Sequence, residues 1–233
     1  MKLFGKHITA FQIFEWLTIL VAFLFPLTKK YHPGFIVLWG IFGLISMKRD
    51  VKKGPALVLC LMILFYILHV FGLVGTANMK AGLFALETKA SFIAIPLVML
   101  FQSQVKNRLR FNTFLAFCYG CSVYAVFSFV TAIIRFQESG ESKMFFYNEL
   151  AGDFHPTYIA AYFCIALLFL GWLAFKNIHL FSRQIIHWVF FGVFLIYVGF
   201  LSSKAGYIGV LLILLMLGLV WMKKKFIVKG LVV

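Results

Sequence analysis

Eight apolar runs divide the chain, at about 8–27, 34–47, 56–75, 90–105, 111–134, 157–175, 185–201 and 205–222. A helix needs roughly 20 apolar residues to cross about 30 Å of hydrocarbon at about 1.5 Å per residue, and most of these runs approach that length. Barrel strands alternate residue by residue over short segments, whereas these runs are apolar throughout. The expectation is an all-α, polytopic membrane helical bundle with about eight transmembrane helices, forming a single domain over residues 1–233. Composition agrees: 63% of residues are hydrophobic and 12% charged, with a mean hydropathy of +0.99. Soluble domains have about 45–50% apolar and about 25% charged residues, and a soluble globule of this size does not bury so much apolar surface. Soluble enzymes, disordered chains and disulfide scaffolds are excluded. The first run follows Lys2 and Lys6, is longer than a signal-peptide core and precedes no small-x-small cleavage site, so it reads as a retained anchor.

The 22 Lys and Arg against 7 Asp and Glu give a formal charge of +15. In a soluble protein that balance would point to nucleic acid. Here the basic residues fall between apolar runs, where membrane topology places them, and no nucleic-acid partner is expected. With the N-terminus cytoplasmic, fifteen Lys and Arg lie on the cytoplasmic side, among them Lys48, Arg49, Lys52, Lys53, Lys106 and Lys224, and seven on the outer side. Of the acids, Glu87, Glu138, Glu141, Glu149 and Asp153 fall outside and Asp50 inside. An even number of spans returns the C-terminus to the cytoplasm. Two outer connections have some length, at about 76–89 and 135–156.

Polar residues at membrane depth are costly and mark candidate sites. Glu15, beside Gln12 in the first run, pairs with an inner-leaflet lysine or faces the bundle interior. His69 reads as a hydrogen-bonded interior residue ahead of a ligand, and Gly72-x-x-Gly75 as a close-packing or helix-end signal. Cys118-x-x-Cys121 lies mid-run with no His or carboxylate nearby, which argues for small buried residues and against a metal site. Glu87 and Lys89, at the mouth of the fourth run with Pro96 inside it, form either an interfacial ion pair or the charged rim of a substrate site. Pro156 fits a first helical turn, which puts His155 at the helix entrance and Tyr158 one turn below. That entrance is an anion site on the positive helix end, or an ordinary cap with an interfacial tyrosine. Lys204, after Ser202 and Ser203, opposes the dipole of the helix it opens, so it answers to lipid phosphates or to a substrate phosphate.

Taken in order, Leu86-Glu87-Thr88-Lys89-Ala90-Ser91 with Pro96-Leu97, then His155-Pro156-Thr157-Tyr158, then Ser202-Ser203-Lys204-Ala205-Gly206 resemble the O-antigen ligase and O-antigen polymerase family, in the versions common in Bacteroidetes. The resemblance extends over essentially the whole chain but only the N-terminal part of a full member. It implies a GT-C-like fold in the bacterial inner membrane and an inverting, metal-independent glycosyltransferase that uses no cofactor. The implied substrate is a polyprenyl-diphosphate-linked glycan, transferred at the periplasmic face to lipid A core or to another glycan unit in lipopolysaccharide or other surface polysaccharide biosynthesis. In such enzymes outer-face arginines grip the diphosphate, and a histidine in a large late periplasmic loop is the general base. The candidate substrate-binding residues are Lys204, Arg135, Lys89, His155, Tyr158, Glu87 and Ser203. Lys204 stands where the family usually has arginine and offers a point charge without the bidentate fork. The late loop has no counterpart and His155 does not inherit the base role, so no catalytic residue is assigned. The expectation is a truncated or split member, or one inactive alone.

Two other classes fit parts of the pattern. A transporter or flippase would use Glu15 and His69, although broken inverted repeats and mid-depth polar sites are not evident. A non-catalytic subunit of a polysaccharide-export machine would tolerate changes at every outer-face residue. The topology has a direct check in a cysteine-free background. Impermeant thiol reagents should label His155→Cys and Lys204→Cys from the cell exterior and spare Lys52→Cys and Lys224→Cys; the opposite pattern inverts the map.

Overall fold

The computed structural model describes residues 2–3, 6–7, 9–28, 31–46, 56–101, 107–176 and 181–230. Lys29, Lys30, Lys48, Arg49, Asp50, Lys52, Lys53, Lys106 and the last three residues, on which part of the charge argument and the C-terminal reading rest, lie outside the described residues. Two short antiparallel strands, β1 (Lys2–Leu3) and β2 (Lys6–His7), precede the helices. The helices are α1 (Ala10–Leu24), α2 (His32–Ile45), α3 (Ala56–Phe71), α4 (Met79–Lys89) and α5 (Ser91–Phe101). They continue with α6 (Asn107–Ser139), α7 (Tyr147–Ala151), α8 (Pro156–Lys176), α9 (Phe181–Phe200) and α10 (Lys204–Gly230), with a 3-10 turn at Ser142–Phe145 before α7.

Each apolar run carries a helix, and the protein is a helical membrane protein. Eight full spans are not found among the described residues, however. Among the described residues three helices are long and apolar enough to cross a membrane: Met79–Met99, Asn107–Ser139 and Pro156–Ala174. Turns at 25–27, at Ser46 and at 72–75 end α1, α2 and α3 at 14–16 residues, while α9 and α10 run to 20 and 27 residues. The connection expected at 76–89 is also helical. Asn78 caps it by accepting from the Ala81 N–H at 3.0 Å, and α4 passes through Ala90 into α5 to complete the 21-residue stretch Met79–Met99. At 33 residues α6 outruns its predicted bounds at both ends. It measures about 50 Å at about 1.5 Å per residue, against about 30 Å of hydrocarbon.

Two compact units emerge, Met1–Val21 with Tyr31–Phe111, and Ala22–Lys30 with Asn112–Val233. In the first, Thr9 and Gln12 form a reciprocal capping box at the head of α1, with bonds of 3.0 and 3.3 Å. Gln12 therefore serves the helix start and not Glu15. Trp39 on α2 donates to the Thr18 hydroxyl at 2.9 Å and packs on Phe14. Gly43 lets Val98 of α5 approach, since a Cβ there would lie 2.5 Å from the valine side chain. Phe65 of α3 meets Phe92 of α5 at 4.8 Å.

The second unit is a bundle built on aromatic side chains. Phe163 of α8 stacks on Tyr197 of α9 at 4.4 Å and meets Phe194 edge-on. Tyr197 and Phe194 are fully buried, as are Ile159, Leu167 and Leu201. Helix α6 runs antiparallel to α8, with Phe114 against Phe169 and Tyr124 against Phe154. It runs along α9 in the same direction, with Tyr124 against Tyr197 and Phe129 against Phe200. Small residues set the third pairing. A Cβ on Gly206 would lie 2.9 Å from Ala160, one on Gly209 2.8 Å from Cys164, and one on Gly171 2.6 Å from Leu217. The contacts advance together along both chains, so α8 and α10 are parallel. In lipid such close packing, rather than hydrophobic burial, holds helices together. Hence the C-terminal ends of α6 and α9 and the N-terminal ends of α8 and α10 share one end of this unit.

Gly206→Leu should push α10 off α8 and cost about 1–3 kcal/mol, read as a lowered unfolding midpoint in detergent. Gly218→Leu, where a Cβ meets nothing within 4 Å, should leave that midpoint in place.

Candidate functional site

The shared end of the second unit collects the polar residues. Pro156 begins α8, and His155 caps it by accepting the Thr157 N–H on Nδ1 at 3.3 Å. With Nδ1 as acceptor, the proton of the neutral ring resides on Nε2, which is left as a donor. The exposed ring of His155 lies between Tyr147, at 6.4 Å, and Tyr158, at 6.1 Å. Ser203, only 2% exposed, accepts the Gly206 N–H at 3.4 Å and caps α10. Lys204 is the first residue of that helix and is exposed. Ser203 is thus a structural cap, while His155, Tyr158 and Lys204 are open to ligands.

Between α6 and the segment 147–155 lies a cleft of about 440 Å³. One wall is a single face of α6, carrying Val123, Tyr124, Phe127, Ser128, Thr131 and Arg135 at helical spacing. The other wall is the segment itself, through Glu149, Leu150, Gly152, Asp153 and Phe154, with Leu27 completing the lining. The segment is pinned from below. Leu150 and Ala151 are buried, and the Tyr124 hydroxyl donates to the Ala151 carbonyl at 2.5 Å. Its turns use left-handed backbone at Tyr147 (φ 50°) and Gly152 (φ 55°), the first of which is costly for a bulky residue. Across the rim Arg135 faces the Glu149 carboxylate at 3.6 Å and donates to its carbonyl at 3.4 Å. Both side chains are close to half exposed, so the pair adds under about 1 kcal/mol. Nearby, Lys143 hydrogen-bonds Glu141, which holds its ammonium above the usual lysine range. Deeper, Ser128 sits beside the buried phenols of Tyr124 and Tyr197.

Of the seven residues singled out from sequence, Arg135 lines this cleft; Lys204, His155, Tyr158 and Ser203 lie at the same end of the unit outside its lining. Glu87 and Lys89 belong to the other unit. They sit inside the helical stretch Met79–Met99 instead of at its mouth. Neither joins the ion pairs found among the described residues, and Lys89 donates instead to the Ala85 carbonyl at 3.5 Å. The spacing explains this, because residues two apart on a helix do not face each other. His69 donates from Nδ1 to the Phe65 carbonyl at 2.8 Å and borders a second cleft of about 300 Å³ with Gly72 and Gly82. Cys118 and Cys121 are buried free thiols, and no metal-binding cluster occurs among the described residues.

Sequence reading missed Ser128, Thr131, Glu149 and Asp153 as cleft residues. A signal existed for the first two: hydroxyls at 128 and 131 continue to Arg135 at helical spacing inside an otherwise apolar run. None existed for the acids, whose approach to α6 depends on the fold of the 140–155 segment.

No protein-family model, curated protein or solved structure matches the chain.

Tyr124→Phe should release the hold on Ala151 and cost about 0.5–1.5 kcal/mol. Hydrogen exchange of the 147–155 amides should accelerate while that of α8 stays protected; unchanged exchange in the segment would show that Tyr124 does not pin it.

Proposed function

We propose that this membrane protein is an O-antigen ligase- or polymerase-like component of surface polysaccharide biosynthesis in the bacterial inner membrane. In this reading the shared polar end of the second unit faces the periplasm and receives a polyprenyl-diphosphate-linked glycan. The observation that carries it is the parallel packing of α8 and α10 through Gly206 and Gly209. That packing sets two helix N-termini, with His155 on one and Lys204 on the other, at the same end as Arg135. Helix N-termini offer unpaired N–H groups and a partial positive charge to phosphate. Lys204 adds a full charge and has no ion-pair partner among the described residues. Arg135, in contrast, is answered by Glu149, so the diphosphate clamp falls to Lys204.

Transfer from a lipid diphosphate builds negative charge on the departing phosphate as the glycosidic bond breaks, and a fixed cation there lowers the barrier. Lys204 supplies that cation. His155, with its Nε2 proton, and Tyr158 donate to phosphate or sugar oxygens. The proton acceptor for the incoming hydroxyl is not assigned to any residue of this chain.

Lys204→Ala should abolish glycan transfer in cells carrying the variant as their sole copy, with protein level unchanged. Lys204→Arg should retain it, and Glu15→Gln should leave it intact. Normal glycan ladders in Lys204→Ala would overturn the assignment, and loss of transfer in Glu15→Gln alone would favour a proton-coupled carrier.

A further inference from the structure

Three aromatic rings stand exposed together at the shared polar end of the second unit. Tyr147 opens α7, His155 precedes α8, and Tyr158 lies in the first turn of α8. The imidazole lies between the tyrosines, 6.4 Å from Tyr147 and 6.1 Å from Tyr158. At 76° and 68° these pairs meet edge to face, so neither tyrosine stacks flat on the imidazole. Each ring also carries a polar tip. Among the described residues the Tyr147 and Tyr158 hydroxyls and His155 Nε2 have no hydrogen-bond partner.

The backbone of Tyr147 sets it apart from an interfacial anchor. Tyrosines gather at membrane surfaces because one end of the ring is apolar and the other polar, a role that needs no special backbone. Tyr147 instead holds a left-handed φ of 50°, which bulky residues rarely adopt. Packing does not demand it, because the side chain is 44% exposed and Leu150 and Ala151 already anchor the segment in the core. Strain kept without a packing return points to what the side chain presents.

The ligand chemistry follows from faces and tips together. A hydrocarbon chain would cover the faces and leave three polar groups unpaired. A phosphate would pair the tips and leave the faces bare. A pyranose matches both: its C–H hydrogens, partly positive, suit the negative face of an aromatic ring, and its hydroxyls suit two phenols and an imidazole N–H. We propose that Tyr147, His155 and Tyr158 form a platform on which a pyranose ring of a glycan stacks. The inference deepens the glycan reading above and rests on it for the source of the ligand. It adds Tyr147 and assigns His155 and Tyr158 to the sugar, leaving the diphosphate to Lys204.

The test uses the full chain in nanodiscs, with free oligosaccharides of glucose, mannose, galactose and N-acetylglucosamine as probes for saturation-transfer NMR. At least one probe should take up saturation, most strongly on the C–H protons of one ring face. Tyr158→Ala should weaken its binding about tenfold, the loss of about one stacked ring, while Tyr158→Trp should retain it. Tyr147→Gly, which relieves the left-handed backbone, should lose binding to the same extent without lowering the unfolding midpoint. Tyr119→Ala, similarly exposed on α6, should bind as the wild type does. No saturation of any probe, or unchanged binding in Tyr158→Ala, overturns the proposal. Should Tyr147→Gly fail to fold, Tyr158→Ala, at an exposed helical position, decides by the same readout. Benzoylphenylalanine replacing Tyr158 should capture the bound probe; capture of lipid alone returns the ring to the membrane surface and overturns the platform. The readout involves neither phosphate nor transfer. Normal glycan ladders in Lys204→Ala therefore sink the transfer reading alone, and absent sugar binding sinks the platform alone.

Discussion

Close approach of α8 and α10 is the constraint from which the rest of the second unit follows. In an apolar solvent helices gain little from burying apolar surface against one another, so contact distance decides which pairs persist. Gly206 against Ala160 and Gly209 against Cys164 remove the side chains that would hold the helices apart. With α8 and α10 parallel, α9 must return antiparallel between them, and its Tyr197 and Phe194 are drawn onto Phe163. The two capped entrances, at His155 and Ser203, then have to lie at one level. Polar residues far apart in sequence reach that level because of glycine.

The same logic accounts for the 147–155 segment. A loop crossing the end of a bundle needs partners for its backbone, since unpaired carbonyls near hydrocarbon are costly. Tyr124, rising from α6, donates to Ala151 and sets Leu150 and Ala151 into the core. The acids of the segment, Glu149 and Asp153, are thereby left at the surface to border the cleft.

What sequence could tell differs sharply between elements. The helices were legible because twenty-residue apolar runs have few other solutions, and Pro156 announced the start of α8; Ser203, which caps α10, was read as a substrate contact. Helix α4 was not, since Lys80, Glu87 and Lys89 among its residues read as a solvated connection, yet Asn78 provides the cap and Leu83 and Phe84 continue the apolar pattern. The Thr9-x-x-Gln12 box was present in the sequence, but Gln12 was read with Glu15 instead of with its cap partner. The cleft was illegible for a different reason: the Tyr124–Ala151 bond spans 27 positions and Arg135–Glu149 spans 14. No local pattern encodes such pairings. Only the end of α6 on which they converge, marked by Arg135, was visible in advance.

The length of α6 has a mechanical corollary. The polar ends of the helix reach headgroups and water, so only the apolar stretch 111–134, about 36 Å long, has to match the lipid interior. A thinner host membrane makes that stretch lean further. Because Arg135 sits near its far tip and Tyr124 grips the loop partway down, the tip and its loop tilt as one piece. Bilayer thickness thereby becomes a dial on the angle at which that mouth opens to water.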